Sequence, residues 1–275
     1  MMPPAVDRDW LRALRSRAIQ PPLRPRVPLW AGDAVMGSVE PEFFHQIALK
    51  SITGGHDQLL KEERPGHSGV AGWRVMGDVT TSLNRVALAL HDAGLAGAWR
   101  NEQLAVMDAQ GHRLGTVERA AVRPLGITTL AVHLVGQAPD GRFWVQQRAF
   151  DKANDPGLWD TLMGGMVSAA DTTDSALARE TWEEAGLRVA DLRDLRYGGR
   201  LTTCWPSSDG QGAGYVSEHI DWYCCTVPEG RVPHNQDGEV AQFCLMDAEP
   251  LLRAMQRGEF TAEASLILAD VMKLR

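Results

Sequence analysis

The sequence predicts an α/β fold: a layered domain from about residue 123 onward, preceded by a smaller α+β domain. Three observations predict it. Short runs of alternating apolar and polar residues recur after Glu102. Two of them, TTLAVHLVGQ and GRFWVQQR, flank APDG, whose Asp140-Gly141 pair is a strong hairpin turn. Helical apolar patterns then alternate with further strand patterns, which is the signature of layered α/β architecture. The boundary is placed at Arg123-Pro124, dividing the chain into 1–122 and 123–275.

The elements follow in order. VDRDWLRALRSRAI has a helical apolar pattern through Trp10, Leu11 and Leu14. PPLRPRVP breaks it, because proline lacks a donor and disfavours helix before it. Residues 53–78 are rich in glycine, histidine and charge and read as a long loop. VTTSLNRVALALHDAGL, 79–95, is a helix with Leu83, Val86 and Leu90 on one face and Gly94 near its stop. EQLAVMD and HRLGTVE around AQG form a hairpin, and LMGGM is a short strand. YGGRLTTC, GYVSEHIDWYCCTV and EVAQFCLM are strands, and 251–260 and 262–275 are helices.

The 275 residues leave ample length for a core, and 44% hydrophobic with 23% charged residues is a globular composition. A net charge of −7 argues against an unassisted nucleic-acid binder. Four cysteines, at 204, 224, 225 and 244, form no CxxC pair and read as reduced thiols. MMPPAVDRDWLRAL lacks a secretory pattern, and no run approaches the roughly 18 apolar residues of a membrane span. The expectation is a cytoplasmic protein with no membrane contact.

The informative stretch is GGMVSAADTTDSALARETWEEAGL, 164–187. Thr172, Thr173 and Asp174 are N-cap candidates and Gly186 a C′ residue, so a helix is expected over about 173–185. At about 100° per residue, Leu177, Ala178, Thr181, Trp182 and Ala185 fill an apolar arc of about 140°. Glu180, Glu183 and Glu184 fall on the other side with Arg179. Like charges at this spacing destabilise a helix by roughly 0.2–0.5 kcal/mol per pair, and the helix C-terminus prefers cations. One arginine cannot neutralise three acids. Such a local conflict is common at functional sites, and a hard divalent cation with oxygen ligands would resolve it. A solvated charged face is the competing reading. Gly164-Gly165 favours the functional one, because bare backbone lets a ligand approach.

Residues 165–187 resemble the Nudix box, in which Gly, five residues and Glu precede seven residues and Arg-Glu-U-x-Glu-Glu-x-Gly-U, with U a bulky aliphatic residue. This sequence offers Gly165, Asp171, Arg179, Glu180, Thr181, Glu183, Glu184, Gly186 and Leu187 with the spacing kept. Asp171 stands where the family has Glu, and Thr181 stands at a U position. The shorter reach of Asp171 leaves its pairing with Arg179 open. The resemblance implies an α/β/α sandwich with a mixed sheet and a divalent cation, Mg²⁺ or Mn²⁺. It implies Glu183 and Glu184 as main ligands with the Gly165 carbonyl nearby. Glu180 would orient the attacking water or take its proton, itself close to the metal, and Arg179 would hold Glu180. Glu239, in NQDGEVAQF, is the candidate for an additional acid from a later loop.

AWRNEQLAV, ERAAVRPLGI, VHLVGQ and the spaced set Arg148, Lys152, Pro156, Gly157, Trp159 and Asp160 resemble one Nudix subfamily. That subfamily carries an extra N-terminal domain and is similar to the Nudix-like region of some fungal thiamine pyrophosphokinases. It implies hydrolysis of a small-molecule diphosphate, thiamine diphosphate or its damaged analogues. Arg148 and Lys152 are candidates for the substrate phosphates, with exposed basic residues as the alternative. Trp99, Trp159 and Trp205 are stacking candidates, with core packing as the alternative. His133 reads as a hydrogen-bonded structural histidine. Three alternatives stay open: an ADP-ribose type of pyrophosphatase, an isopentenyl-diphosphate isomerase type with Cys204 as the tempting thiol, and a non-catalytic binding module. A homodimer is conceivable, but no spacing argues for it.

Overall fold

The computed structural model describes residues 6–47, 58–63 and 71–274. Helix α1 (Arg8–Ala18) starts at Asp7, whose carboxylate accepts the Asp9 and Trp10 amides. Strands β1 (Val27–Ala31), β2 (Ala34–Val39), β3 (Leu60–Glu63) and β4 (Gly72–Val75) form a sheet in the order β2-β1-β4-β3. The β1–β4 pair is parallel and the others antiparallel. Helix α2 (Val79–Asp92) is capped by Asp78, and β5 (Gln103–Met107) with β6 (Arg113–Glu118) makes the expected hairpin. Phe43, Phe44, Trp73, Leu83, Leu90 and Leu104 are among the buried core of this half.

Two expectations need correction here. β1 and β2 were not foreseen, and the stretch 53–78 is not one loop, since β3 and β4 lie within it. The rest of that stretch, apart from residues 58–59, 71 and 76–78, lies outside the described residues. These strands have four to six residues, too few for a clear alternation. Pro28 and Gly37 blur the pattern further. Gly37 has a packing reason: a Cβ there would lie 2.5 Å from the Leu125 carbonyl oxygen, where the chain crosses into the second half.

The second half is built on a mixed sheet. Its strands are β7 (Thr129–Gln137), β8 (Phe143–Arg148), β9 (Trp159–Asp160), β10 (Met163–Met166), β11 (Arg193–Ser207), β12 (Gly214–Thr226) and β13 (Val240–Met246). The order is β11-β12-β7-β8-β13, with β10 paired to β7 and β9 to β8. β12 and β7 are parallel, while the other pairs are antiparallel. Helix α3 (Thr173–Ala185) covers one face, and α4 (Ala248–Gln256) with α5 (Ala262–Val271) covers the other. The period-2 alternation of β7 explains both cores. Val132 and Leu134 join Leu177 and Ala185 of α3, whereas Ala131 and Val135 join Leu251 and Ile267. This is the α/β/α sandwich.

Helix α1 crosses the proposed division after residue 122. Leu11, Leu14 and Ala18 pack in the same core as α4 and α5, and Arg15 donates to the Leu274 carbonyl at 3.1 Å. The division itself remains our proposal for the sheets, not for this helix. No described helix is long and apolar enough to cross a membrane.

Candidate active site

Helix α3 begins and ends where its sequence requires. The Thr172 hydroxyl accepts the Ser175 amide at 3.1 Å, and the Ser175 hydroxyl accepts the Thr172 amide at 2.9 Å. Gly186 closes the helix at φ 62°, the left-handed conformation that glycine adopts without strain.

The burial of α3 differs from the helical-wheel expectation. Ala178 and Trp182 are exposed, whereas Glu184 is 3% exposed. The reason lies in the strand beneath. Glu184 accepts the Gly164 backbone amide at 3.0 Å and the Gln146 side-chain amide at 2.9 Å. These donors compensate part of the cost of burying a carboxyl. Burial still pushes the Glu184 carboxyl up to about 8, with the two hydrogen bonds working against that rise. Trp182 lies under the Arg188 guanidinium, 5.5 Å from its ring centroid.

Arg179 is the electrostatic centre of the helix. Its Nε and Nη2 donate to Asp171 Oδ2 at 3.0 and 2.8 Å. Its Nη1 donates to Glu180 at 2.8 Å and to Glu183 at 3.0 Å. Asp171 therefore reaches the arginine despite its shorter side chain. Asp171 also accepts hydroxyls from Ser175 and Ser168, at 2.9 and 3.1 Å. Burial opposes the charge on Arg179, but its three carboxylate partners outweigh it and hold the guanidinium protonated. Burial pushes the Glu180 carboxyl above its usual range, partly offset by Arg179.

The glycine pair is explained by what lies on it. A Cβ at Gly165 would lie 2.1 Å from Glu180 Cδ, and a Cβ at Gly164 would lie 2.7 Å from the His133 ring. Bare backbone is what lets both side chains settle against β10. His133 is buried, with Nδ1 at 3.0 Å from the Thr161 hydroxyl. Burial depresses its pKa, against the pull of Asp160. This fits the structural histidine expected from the sequence, although its ring also borders the cleft.

That cleft has a volume of about 660 Å³. Gly165, Arg179, Glu180, Glu183 and Glu184 line one wall. Arg148, Lys152 and Glu239 line it too, so the structure brings these sequence candidates together. Glu239 is ion-paired with Lys152. Burial works against charge on Glu239, yet Lys152 outweighs it and holds the carboxyl below its usual range. Arg148 donates to the Asn154 carbonyl at 3.1 Å and lies 3.6 Å from Asp160.

Trp159 is a correction. It does not border the cleft, and its indole packs against the core under α4 and α5. The two-residue strand β9 pairs Trp159 with Gln147 of β8 and bridges it to Phe260, holding it in that core. Trp99 also packs inward, against the front core, with its indole N–H donating to Asn101 at 2.9 Å. Trp205 is the tryptophan at the cleft.

Sequence reasoning missed Glu102, Arg119, Arg123, Glu218 and Glu263 on the cleft wall. Arg119 and Arg123 stand in ERAAVRPLGI, which carried a resemblance but no assigned role.

The donor set suits a hard cation in kind: carboxylate oxygens on a cleft wall, with Glu180 against the Gly165 backbone. It is not pre-gathered. Among the described residues no three acid, cysteine or histidine groups are already arranged to hold a metal. Arg179 occupies oxygens of Glu180 and Glu183, and Glu184 is tied to Gly164 and Gln146. Ligation by the glutamates would require exchange of some of these hydrogen bonds.

Comparison with known proteins agrees with this geometry. The family described as the NUDIX domain matches residues 128–266. Nudix hydrolase 20, chloroplastic, of Arabidopsis thaliana is 29% identical over 212 residues, 71% of this chain and 52% of its own. Nudix hydrolase 24, chloroplastic, of the same plant is 27% identical over 269 residues, 90% of this chain and 67% of its own. An isopentenyl-diphosphate Delta-isomerase of Streptomyces avermitilis is 33% identical over 98 residues, 34% of this chain and 50% of its own. The chain spans about half the length of the first curated relatives it matches. The family match covers the mixed sheet, the glycine pair and the acidic helix together, and the chain belongs to the Nudix family.

Proposed function

We propose that the protein is a metal-dependent diphosphate hydrolase converting X-diphosphate and water to X-monophosphate and phosphate. The observation that carries this reading is the wall of Glu180, Glu183 and Glu184, the first two bonded to Arg179, facing a cleft that also holds Arg148 and Lys152. Glu183, Glu184 and the Gly165 carbonyl would hold Mg²⁺ or Mn²⁺, with Glu180 close by. The cation supplies charge neutralisation on the phosphate oxygens and Lewis acidity. Glu180, seated on Gly165 and steadied by Arg179, would take the proton from the attacking water. Arg148 and Lys152 would bind phosphate oxygens, Lys152 by exchanging its pairing with Glu239. Water oxygen then joins phosphorus and the bridging phosphorus–oxygen bond breaks toward the X-monophosphate.

For X we propose a thiamine-type heterocycle, on the subfamily resemblance and on Trp205 at the cleft. The isomerase reading loses support, because none of the four cysteines borders the cleft. The binding-module reading is weakened by the complete acid set. All four thiols are free, which suits the reducing compartment proposed from the sequence.

The test is phosphate release with Mg²⁺, with and without EDTA. The panel is thiamine diphosphate, its oxo and oxy analogues, ADP-ribose, nucleoside triphosphates and isopentenyl diphosphate. EDTA-sensitive release favouring the thiamine compounds supports the full proposal. Release from ADP-ribose or nucleotides alone keeps the hydrolase and rejects the thiamine assignment. No release from any compound rejects the hydrolase.

A further inference from the structure

Arg119 stands on the front half of the chain, yet its side chain borders the same cleft as the acidic helix. It opens a 3-10 turn, Arg119–Ala121, directly after β6. The turn is firmly built. Ala120 and Ala121 are buried, and the Ala120 carbonyl accepts the Gly97 amide at 2.8 Å. Glu118, 1% exposed, accepts the Arg100 amide at 2.9 Å. Glu102 grips Arg119 twice: its carbonyl accepts the Arg119 amide at 2.8 Å, and its carboxylate accepts Nη1 at 2.7 Å.

The β5–β6 hairpin that leads into this turn is also tied to the loop before α3. The Gln103 carbonyl accepts the Ala169 amide at 2.7 Å, and Arg113 Nη1 donates to the Ala169 carbonyl at 2.9 Å. Ala169 lies two residues before Asp171, the carboxylate that orients Arg179. A short hydrogen-bonded path therefore sets Arg119 relative to the acidic wall. Positive charge from Arg119 reaches Glu239 across the cleft and favours its ionised form. Among the described residues, Glu102 is the only hydrogen-bond partner of the Arg119 guanidinium, and it engages Nη1 alone. Nε and Nη2 remain able to donate to an anion. A planar guanidinium with one edge held and one edge open is suited to a phosphate oxygen pair.

We propose that Arg119 is a substrate-binding residue that the front domain contributes to the cleft, donating to phosphate oxygens of the substrate. The inference rests on the diphosphate reading. It gives the front half a part in the site, with Glu102 as the positioning residue.

The test uses the full chain with Mg²⁺ and methylenediphosphonate, a diphosphate mimic that is not hydrolysed, read by calorimetry. Arg119→Gln is expected to weaken binding about tenfold, with an unchanged melting temperature, and Arg119→Lys to recover part of it. Arg85→Gln, which removes the same charge from an exposed position on α2, should bind like the unaltered protein. In steady-state hydrolysis, Arg119→Gln should raise KM about tenfold and change kcat by less than threefold. Equal loss in Arg85→Gln would show a general charge effect and overturn the proposal. Unchanged binding in both Arg119 variants would also overturn it. If the unaltered protein hydrolyses no diphosphate but the mimic still binds through Arg119, the hydrolase reading fails and the Arg119 assignment stands.

Discussion

Replacing Gly165 by alanine separates the chemistry from the fold. The added Cβ would lie 2.1 Å from Glu180 Cδ and 2.5 Å from each carboxylate oxygen. Ordinary contact begins at 3.4 Å, so the carboxyl group must withdraw by about 1.3 Å. Gly165 does not have the positive φ that excludes other residues. The obstacle is the end of a flexible side chain, so overpacking should cost about 1 kcal/mol, at the low end for cores. That corresponds to a fall of about 2–4 °C in melting temperature. A displacement of about 1 Å at a reacting group can cost about 100-fold in rate. The expected variant is folded, melts a few degrees lower and releases phosphate about 100-fold more slowly at saturating Mg²⁺ and substrate. Gly164→Ala is the contrast. There the Cβ meets the buried His133 ring at 2.7 Å, and about 1–3 kcal/mol of stability should be lost. Gly165→Ala turning over within threefold of the unaltered protein would refute the role given to Glu180 on this glycine.

Other outcomes follow from the same geometry. Asp171→Ala removes two hydrogen bonds from Arg179 and those from Ser168 and Ser175. Chemical denaturation should show a loss of about 1–2 kcal/mol, modest because Arg179 is partly exposed, and kcat should fall as Arg179 loses its anchor. Glu184 has its carboxyl raised from an ordinary 4.5 to about 8 by burial, so the metal-free folded state binds the proton more tightly than the unfolded chain. The stability this contributes is present below about pH 4.5 and is lost as pH rises toward 8. In EDTA, melting temperature should decline over pH 5–8, and Glu184→Gln should flatten that decline; an identical slope in both proteins would contradict it. Trp205→Leu should raise KM for heterocyclic diphosphates, whereas Trp159→Leu should lower melting temperature with little effect on KM, and the reverse pattern would return Trp159 to the site.

Much of the second half was legible because local chemistry and long-range packing agree there. The Thr172 cap and Gly186 stop bracket α3 where the pattern placed it, and Asp140-Gly141 turns β7 into β8. The helical wheel placed Leu177, Thr181 and Ala185 correctly on the buried side but not Ala178, Trp182 and Glu184. It took the apolar arc as the inner one, but the bare Gly164 amide and the Gln146 amide draw the Glu184 carboxylate inward, leaving Trp182 outside. No pattern within one helix carries that information, because the donors sit on β8 and β10. The front sheet was illegible for another reason. Its strands are short, two are interrupted by Pro28 and Gly37, and β4 reaches β1 through a parallel pairing distant in sequence. Nothing in the local sequence marks Arg119, because its placement depends on hydrogen bonds from the hairpin to Ala169, distant in sequence. Trp159 stands beside the candidates Arg148 and Lys152 in sequence, but two-residue β9 turns its side chain into the core.

The central claim is that the acids of α3 carry out metal-dependent diphosphate hydrolysis. Its most direct test is phosphate release by the unaltered protein and by Glu183→Gln, side by side with saturating Mg²⁺ and the best diphosphate of the panel. The Glu183 side chain is partly exposed and bonds only Arg179 among the described residues, so the substitution should leave melting temperature within a few degrees. The expected result is EDTA-sensitive release by the unaltered protein and a fall of at least 100-fold in the variant. Equal release by both proteins would contradict the claim.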